Sequence, residues 1–299
     1  MYVVTGASGN TGSVIVNGLL AKGERVRAIA RHADRLKPLV AKGAEAFAAD
    51  LSDSGALARA FAGAKGAYVM IPPDVSNEDI PAYQANLTET IATALEQSRI
   101  QHAVLLSSIG ADKPEKTGPV AGLHRFEERL NRIAGLNVLH VRAGYFMENT
   151  LMQTGIIKAA GMCAGPMRGD LKVPMIATED VGKFVTERLL KLDFKGHEAR
   201  ELLGERDISM DEVASIIGKA IGKADLKYVQ LPDDQLSAAM LQMGLSASAV
   251  SALLEMAAAL NSGYMRALET RSAKNTTSTS YEAFVKEEFL PAYQGAAAA

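Results

Sequence analysis

One stretch near the N-terminus constrains the fold more than any other. The apolar run Tyr2-Val3-Val4-Thr5 stops on Gly6-Ala7-Ser8-Gly9-Asn10-Thr11-Gly12, and an amphipathic pattern then continues to Ala21. A β-branched run that meets three spaced glycines and then a helical period predicts a strand, a tight turn and a helix. The glycines have separate duties: the turn needs an unusual φ, a ligand backbone must come close, and the helix must pack tightly on the strand. Free N–H groups and the positive dipole end of that helix converge on one point, which suits a pyrophosphate. The alternative is a tight strand-to-helix turn that holds no ligand.

That unit opens a series. Strands are predicted at residues 2–5, 25–30, 44–48, 66–71, 103–107 and 136–142, with helices between them at 11–21, 36–42, 54–61, 82–98 and 123–134. Alternation of this kind reads as consecutive βαβ units, hence an α/β fold with a Rossmann-type doubly wound parallel sheet. After about Asn149 the rhythm fails. The expected division is a dinucleotide-binding domain over residues 1–149 and a smaller, mostly helical substrate-binding region over 150–299, with short extended pieces at 172–176 and 227–230. A helix from Thr178 to about Leu192 is expected to pack back on the first domain. Ser209-Met210-Asp211-Glu212 has the spacing of a capping box and opens a helix to about Ile221. Residues 236–243 and 247–260 form a helical hairpin broken at Gly244-Leu245-Ser246, with Ser246 as cap. A last helix runs from Tyr281 to about Leu290, and residues 295–299 are expected to fray.

Charge and cysteine usage narrow the partners. Lys and Arg number 32 against 34 Asp and Glu, so no summed field draws in nucleic acid or an anionic membrane. The longest uncharged stretch, 235–254, holds two Gln, four Ser and a central Gly and is a poor membrane span. The N-terminus lacks the basic and apolar segments of a secretory signal. Cys163 stands alone, which fits a reducing compartment, and the cytoplasm is the expected location. No His, Asp or Glu grouping has metal-ligand spacing, so no metal is expected. A homodimer is left open.

At the end of the second predicted strand, an NAD-specific site would carry a carboxylate for the ribose hydroxyls. This chain has Ala30-Arg31-His32 there. A guanidinium forks onto a 2′-phosphate that a carboxylate would repel, which favours NADP(H). Arg31 reads either in that role or as a solvated surface arginine.

With the glycine turn, Arg31, Asp50-Leu51, Ile71-Pro72-Pro73 and Leu105-Leu106-Ser107-Ser108, the chain resembles the NmrA-like branch of atypical short-chain dehydrogenase/reductases. His124-x-x-x-Glu128 followed by Val141-Arg142-Ala143-Gly144-Tyr145-Phe146-Met147-Glu148-Asn149 is similar to the bacterial NADPH-dependent quinone oxidoreductase and triphenylmethane reductase subgroup. The resemblance implies an adenine contact around Asp50 and Leu51, and a nicotinamide wall over Ile71, Pro72, Pro73 and Asp74. It also implies cofactor contacts at Ser107 and along Gly144, Tyr145, Phe146, Met147, Glu148 and Asn149. The wider superfamily uses Tyr-x-x-x-Lys as its acid/base pair, and none of the eight tyrosines here has Lys four residues on. Hydride delivery to a quinone does without that pair, because the delocalised phenolate it forms takes a proton from water. The expected activity is NADPH-dependent reduction of a small planar electron acceptor, such as a quinone or an azo or triphenylmethane dye. The rival is a non-catalytic NADP(H)-binding sensor.

Several residues are candidates for the acceptor side. His124, with Glu128 one helical turn on, reads either as a hydrogen-bond or proton donor at the acceptor or as a structural pair. Tyr145 and Phe146 follow the sixth strand, where ligands collect in open α/β sheets, and could stack on a planar ligand. Met152, Met240 and Met243 read either as adaptable ligand wall or as core at helical spacing.

Overall fold

Val3, Ile29, Val69, Val104 and Val138 are fully buried, each in a run whose other members are buried or half-buried. Runs of that kind suit strands covered on both sides, as parallel sheets require. The computed structural model describes residues 1–295, so the tail beyond Gly295 lies outside the described residues. In chain order the first elements are β1 (Tyr2–Val4), α1 (Asn10–Ala21), β2 (Val26–Ala30), α2 (Lys37–Val40), β3 (Glu45–Ala48), α3 (Ser54–Phe61), β4 (Gly66–Val69), α4 (Ile80–Ser98), β5 (His102–Ser108), α5 (Val120–Asn131) and β6 (Asn137–Ala143). There follow β7 (Tyr145–Phe146), α6 (Gln153–Ala160), β8 (Cys163–Gly165), β9 (Val173–Ile176), α7 (Thr178–Lys191), β10 (His197–Leu202), β11 (Asp207–Ile208), α8 (Met210–Ala220) and β12 (Tyr228–Gln230). The last are α9 (Asp233–Gln242), α10 (Ala247–Asn261) and α11 (Tyr281–Phe284), which continues through a π-helical turn at Val285–Phe289.

Among the described residues, seven strands form one sheet in the order β10-β6-β5-β4-β1-β2-β3, parallel at each pairing. The chain starts in the middle, winds out to β3, then returns to lay β4 on the other side of β1. That reversal opens a crevice at the C-terminal ends of β1 and β4, where open α/β sheets bind ligands. Helices α3, α4 and α5 cover one face around Phe61, Leu95 and Phe126. Helices α1 and α7 cover the other around Ile15, Leu19, Val181 and Val185.

The sheet does not stop at residue 149. Strand β10 pairs in parallel with β6, from His197 opposite Val138 to Leu202 opposite Ala143, with α7 as its crossover. Its sequence His-Glu-Ala-Arg-Glu-Leu escaped recognition because an edge strand can leave one half in water: His197, Glu198 and Ala199 are exposed, and only Glu201 and Leu202 are buried. The region shaping the second half of the molecule is therefore two segments, 145–176 and 203–295, divided by a return to the sheet. It carries its own core around Met175, Val213, Ile217, Tyr281 and Phe289. Ser209 caps α8 in a full capping box with Glu212, and Ser246 caps α10 through the N–H of Ala249.

Candidate active site

The glycine turn is built of backbone. Gly6 has φ +58, and Gly9 stands at the N-cap of α1 without a side-chain cap. A Cβ on Gly12 would lie 2.2 Å from the Gly6 carbonyl oxygen, so only glycine lets the helix seat against the turn. The first N–H groups of α1 thus face outward with no side chain to receive them, and no acidic residue sits in the first turn. This cradle fits a pyrophosphate. Ser8, Gly9 and Asn10 are exposed at its rim, whereas Ala7 is buried and the Thr11 hydroxyl is bonded to the Tyr68 hydroxyl at 2.8 Å. Thr11 therefore serves the turn through its backbone, with its side chain committed to β4.

Arg31 follows β2 directly, is exposed, and makes no ion pair among the described residues. Asp50 accepts hydrogen bonds from the Ser52 N–H and hydroxyl, and Asp74 does the same from Ser76. Those bonds hold both carboxyls below their usual range, and the Arg31 charge lowers both further. Leu51 lies buried beside Asp50.

From the turn the crevice leads inward. A Cβ on Gly6 would be 3.0 Å from the Met70 sulfur, and Met70 is also the first wall residue of a cavity of about 360 Å³. Its floor is made by three strand ends: Ile71, Pro72, Pro73 and Asp74 after β4, Leu106 to Ile109 at β5, and Gly144, Tyr145, Phe146 and Asn149 after β6. Val120 and Leu123 of α5 form one side. The roof is one face of α10, with Ala249, Ala252, Leu253, Met256 and Leu260 spaced three or four apart. Ser246 anchors this helix by donating from its N–H to the Val75 carbonyl at 2.9 Å and from its hydroxyl to the Asn77 carbonyl at 2.5 Å. Gly118, at φ +58, approaches so closely that a Cβ would sit 2.0 Å from the Ala252 carbonyl oxygen.

Beneath the floor lies a buried ionic network. Arg142 on β6 grips Glu127 of α5 with two bonds, Nε to Oε1 at 3.0 Å and Nη2 to Oε2 at 2.6 Å. The Ser107 hydroxyl donates to the same carboxylate at 2.5 Å. Such an ion pair is costly to break, because the survivor stays buried and uncompensated. It locks helix α5 to the two strand ends that carry the cavity floor.

The expected site residues divide accordingly. Ile71, Pro72, Pro73, Asp74, Ser107, Gly144, Tyr145, Phe146 and Asn149 share the cavity. His124 does not reach it: its Nδ1 lies 2.8 Å from the Ala111 carbonyl oxygen, which ties α5 to the preceding loop. Glu128 is exposed, and the buried carboxylate is its neighbour Glu127. A helix with one acidic pair offers both residues to sequence reading, and only packing decides which faces in. Met147 is core, and Glu148 accepts from the N–H and hydroxyl of Thr178, receiving the first turn of α7. Met152 and Met243 are exposed, and Met240 packs with Leu236 and Val250 inside the α9–α10 hairpin, so the three methionines lie off the cavity. The methionines that do line it are Met70, Met256 and Met265. Tyr83, Gln84 and the roof of α10 carry no local signal, since they are ordinary helix residues brought to the cavity only by packing.

Three comparisons bear on this arrangement. An NAD(P)H azoreductase of Xenophilus azovorans is 28% identical over 271 residues, covering 89% of each chain. A solved NADPH-dependent quinone oxidoreductase of Escherichia coli, complexed with NADPH, superposes with a TM-score of 0.82 at 21% identity, over 97% of this chain and 100% of that one. The triphenylmethane reductase of a Citrobacter species, complexed with NADP(H), gives 0.80 at 17% identity over 96% and 99%. The NmrA-like family matches residues 2–290, nearly the whole chain, and the protein belongs to that family.

Proposed function

We propose that this protein is an NADPH-dependent reductase that passes hydride to a quinone or a similar flat electrophile, such as an azo or triphenylmethane dye. The observation that carries the reading is the continuity between the glycine cradle and the apolar cavity, joined at Met70. A dinucleotide with its pyrophosphate on α1 and its adenine end between Arg31, Asp50 and Leu51 has its other end directed to the strand ends at Ile71 and Gly144. Arg31, unpaired among the described residues, is the group for a 2′-phosphate and the reason to expect NADPH over NADH.

The acceptor half supports reduction without a protein acid. The α5 face turned to the cavity offers Val120 and Leu123 where a proton donor would stand. Tyr145 has its pKa pushed up to about 12 by burial, and the Tyr83 hydroxyl donates to the Pro72 carbonyl at 3.0 Å. Neither suits general acid catalysis near neutrality, which works best with a pKa near the working pH. NADPH supplies the hydride when bound. The chain's own part is to press a flat ring against that donor at roughly 3 to 3.5 Å and exclude bulk water. A relative that reduces azo compounds with NAD(P)H fits this reading. The test is NADPH oxidation with a panel of quinones, azo dyes and triphenylmethane dyes. Turnover of at least one class is expected; tight NADPH binding with no turnover would leave a nucleotide-sensing role instead.

A further inference from the structure

The acceptor cavity has a selectivity that follows from the charges on its wall. Among the described residues its wall contains no lysine, arginine or histidine, and its one charged side chain is Asp74, at the end nearest Arg31. Apolar walls of this kind are common. Several of the polar side chains around them also spend a donor within the protein. The Ser107 hydroxyl donates to Glu127, the Ser108 hydroxyl to the Ile109 carbonyl, the Tyr83 hydroxyl to the Pro72 carbonyl, and the Gln84 amide to the Pro119 carbonyl at 2.9 Å. Ser107 is the clearest case. Its partner is a carboxylate gripped by Arg142, so the hydroxyl proton is held there and only lone pairs remain for the cavity.

An anion placed here meets no lysine, arginine or histidine on the wall, and Asp74 repels it. Burying an unpaired ion is among the costliest events in a protein. The negative charge that forms on a reduced quinone differs, because hydride transfer creates it together with the positive charge of the oxidised nicotinamide. A permanent anionic substituent has no such partner. From the missing cation and the Asp74 carboxylate we infer that the site selects acceptors without a permanent negative charge, such as unsubstituted or alkyl-substituted quinones, and rejects sulfonated or carboxylated ones. The inference rests on the reductase reading for the location of the acceptor. It goes further in fixing the charge of what is reduced.

A matched pair of ligands separates the two claims. A naphthoquinone and its ring sulfonate differ in charge while sharing the flat ring, and the electron-withdrawing sulfonate makes its quinone easier to reduce. Calorimetric titration of each into the protein loaded with a redox-inactive tetrahydro analogue of NADPH, whose ring is uncharged, should give a dissociation constant about a hundredfold weaker for the sulfonate. Met256→Lys, which places a flexible cation in the roof, should recover about tenfold of sulfonate binding; Leu253→Lys is the second variant should the first fold poorly. Steady-state rates with NADPH then distinguish the failures. If both quinones bind and turn over within about threefold of each other, the reductase reading stands and charge selection is overturned. If the neutral quinone binds a hundredfold tighter yet neither is reduced, selection stands and the reductase reading falls.

Discussion

The two halves of the crevice are built on opposite terms. The cofactor end is seven consecutive residues whose geometry is fixed by backbone: a positive φ at Gly6, an uncapped helix start at Gly9, and a contact at Gly12 with no room for a methyl group. The acceptor end is assembled from residues of β5, β6, β7, β9, α4, α5 and α10 and the loops between them, segments that meet only in the folded molecule. Backbone geometry admits few substitutes, so the first half is strict about sequence and suited to one ligand. Apolar side-chain walls can be exchanged at modest cost, so the second half can change its ligand while the fold persists.

That contrast can be broken in several places. The largest effect is expected where the two halves share a support. Glu127→Ala leaves the half-buried Arg142 without its anion and should cost about 3 kcal/mol of stability in chemical denaturation. Next is the cradle. Gly12→Ala sets a methyl group against the Gly6 carbonyl, and overpacking against backbone of about 1–3 kcal/mol should weaken NADPH binding by up to about a hundredfold in a fluorescence titration. Arg31→Ala should weaken NADPH by about tenfold or more while NADH binding is unchanged, as expected for one charge-assisted contact. In the roof, Met256→Ala should raise the acceptor KM several-fold, roughly the loss of 1–2 kcal/mol of apolar contact, without moving the NADPH affinity. The smallest effect is assigned to His124→Ala. Its ring is turned to the Ala111 carbonyl, so kcat with a quinone should stay within about twofold, whereas a proton donor would cost about 10²-fold or more.

The same contrast explains what could be read from the chain itself. The turn, the six βα-alternating strands and the caps at Ser209 and Ser246 are local, each declared by residues within a few positions of one another. Strand β10 was missed because its exposed half is charged and its partner β6 is some sixty residues away, His197 lying opposite Val138. Of the three methionines expected at the acceptor, Met240 packs inside the hairpin on α9, which has no strong apolar stripe to say which side is inward, Met243 stands exposed just past that helix, and Met152 is exposed in the turn before α6. Glu127 and Glu128 are adjacent, and the choice between them is made by Arg142 on another strand. Wherever a residue's role depends on a contact made across the fold, composition and spacing are silent.

The central claim is hydride transfer from NADPH to a flat, uncharged acceptor with no protein side chain as acid. It is tested most directly by single-turnover oxidation of NADPH deuterated at the transferred position, mixed anaerobically with the protein and an alkyl-naphthoquinone. The account predicts stoichiometric loss of NADPH, formation of hydroquinone, a rate slowed by deuterium, and the same rate in His124→Ala. NADPH that stays bound and reduced, or a rate that collapses in His124→Ala while binding survives, would contradict it.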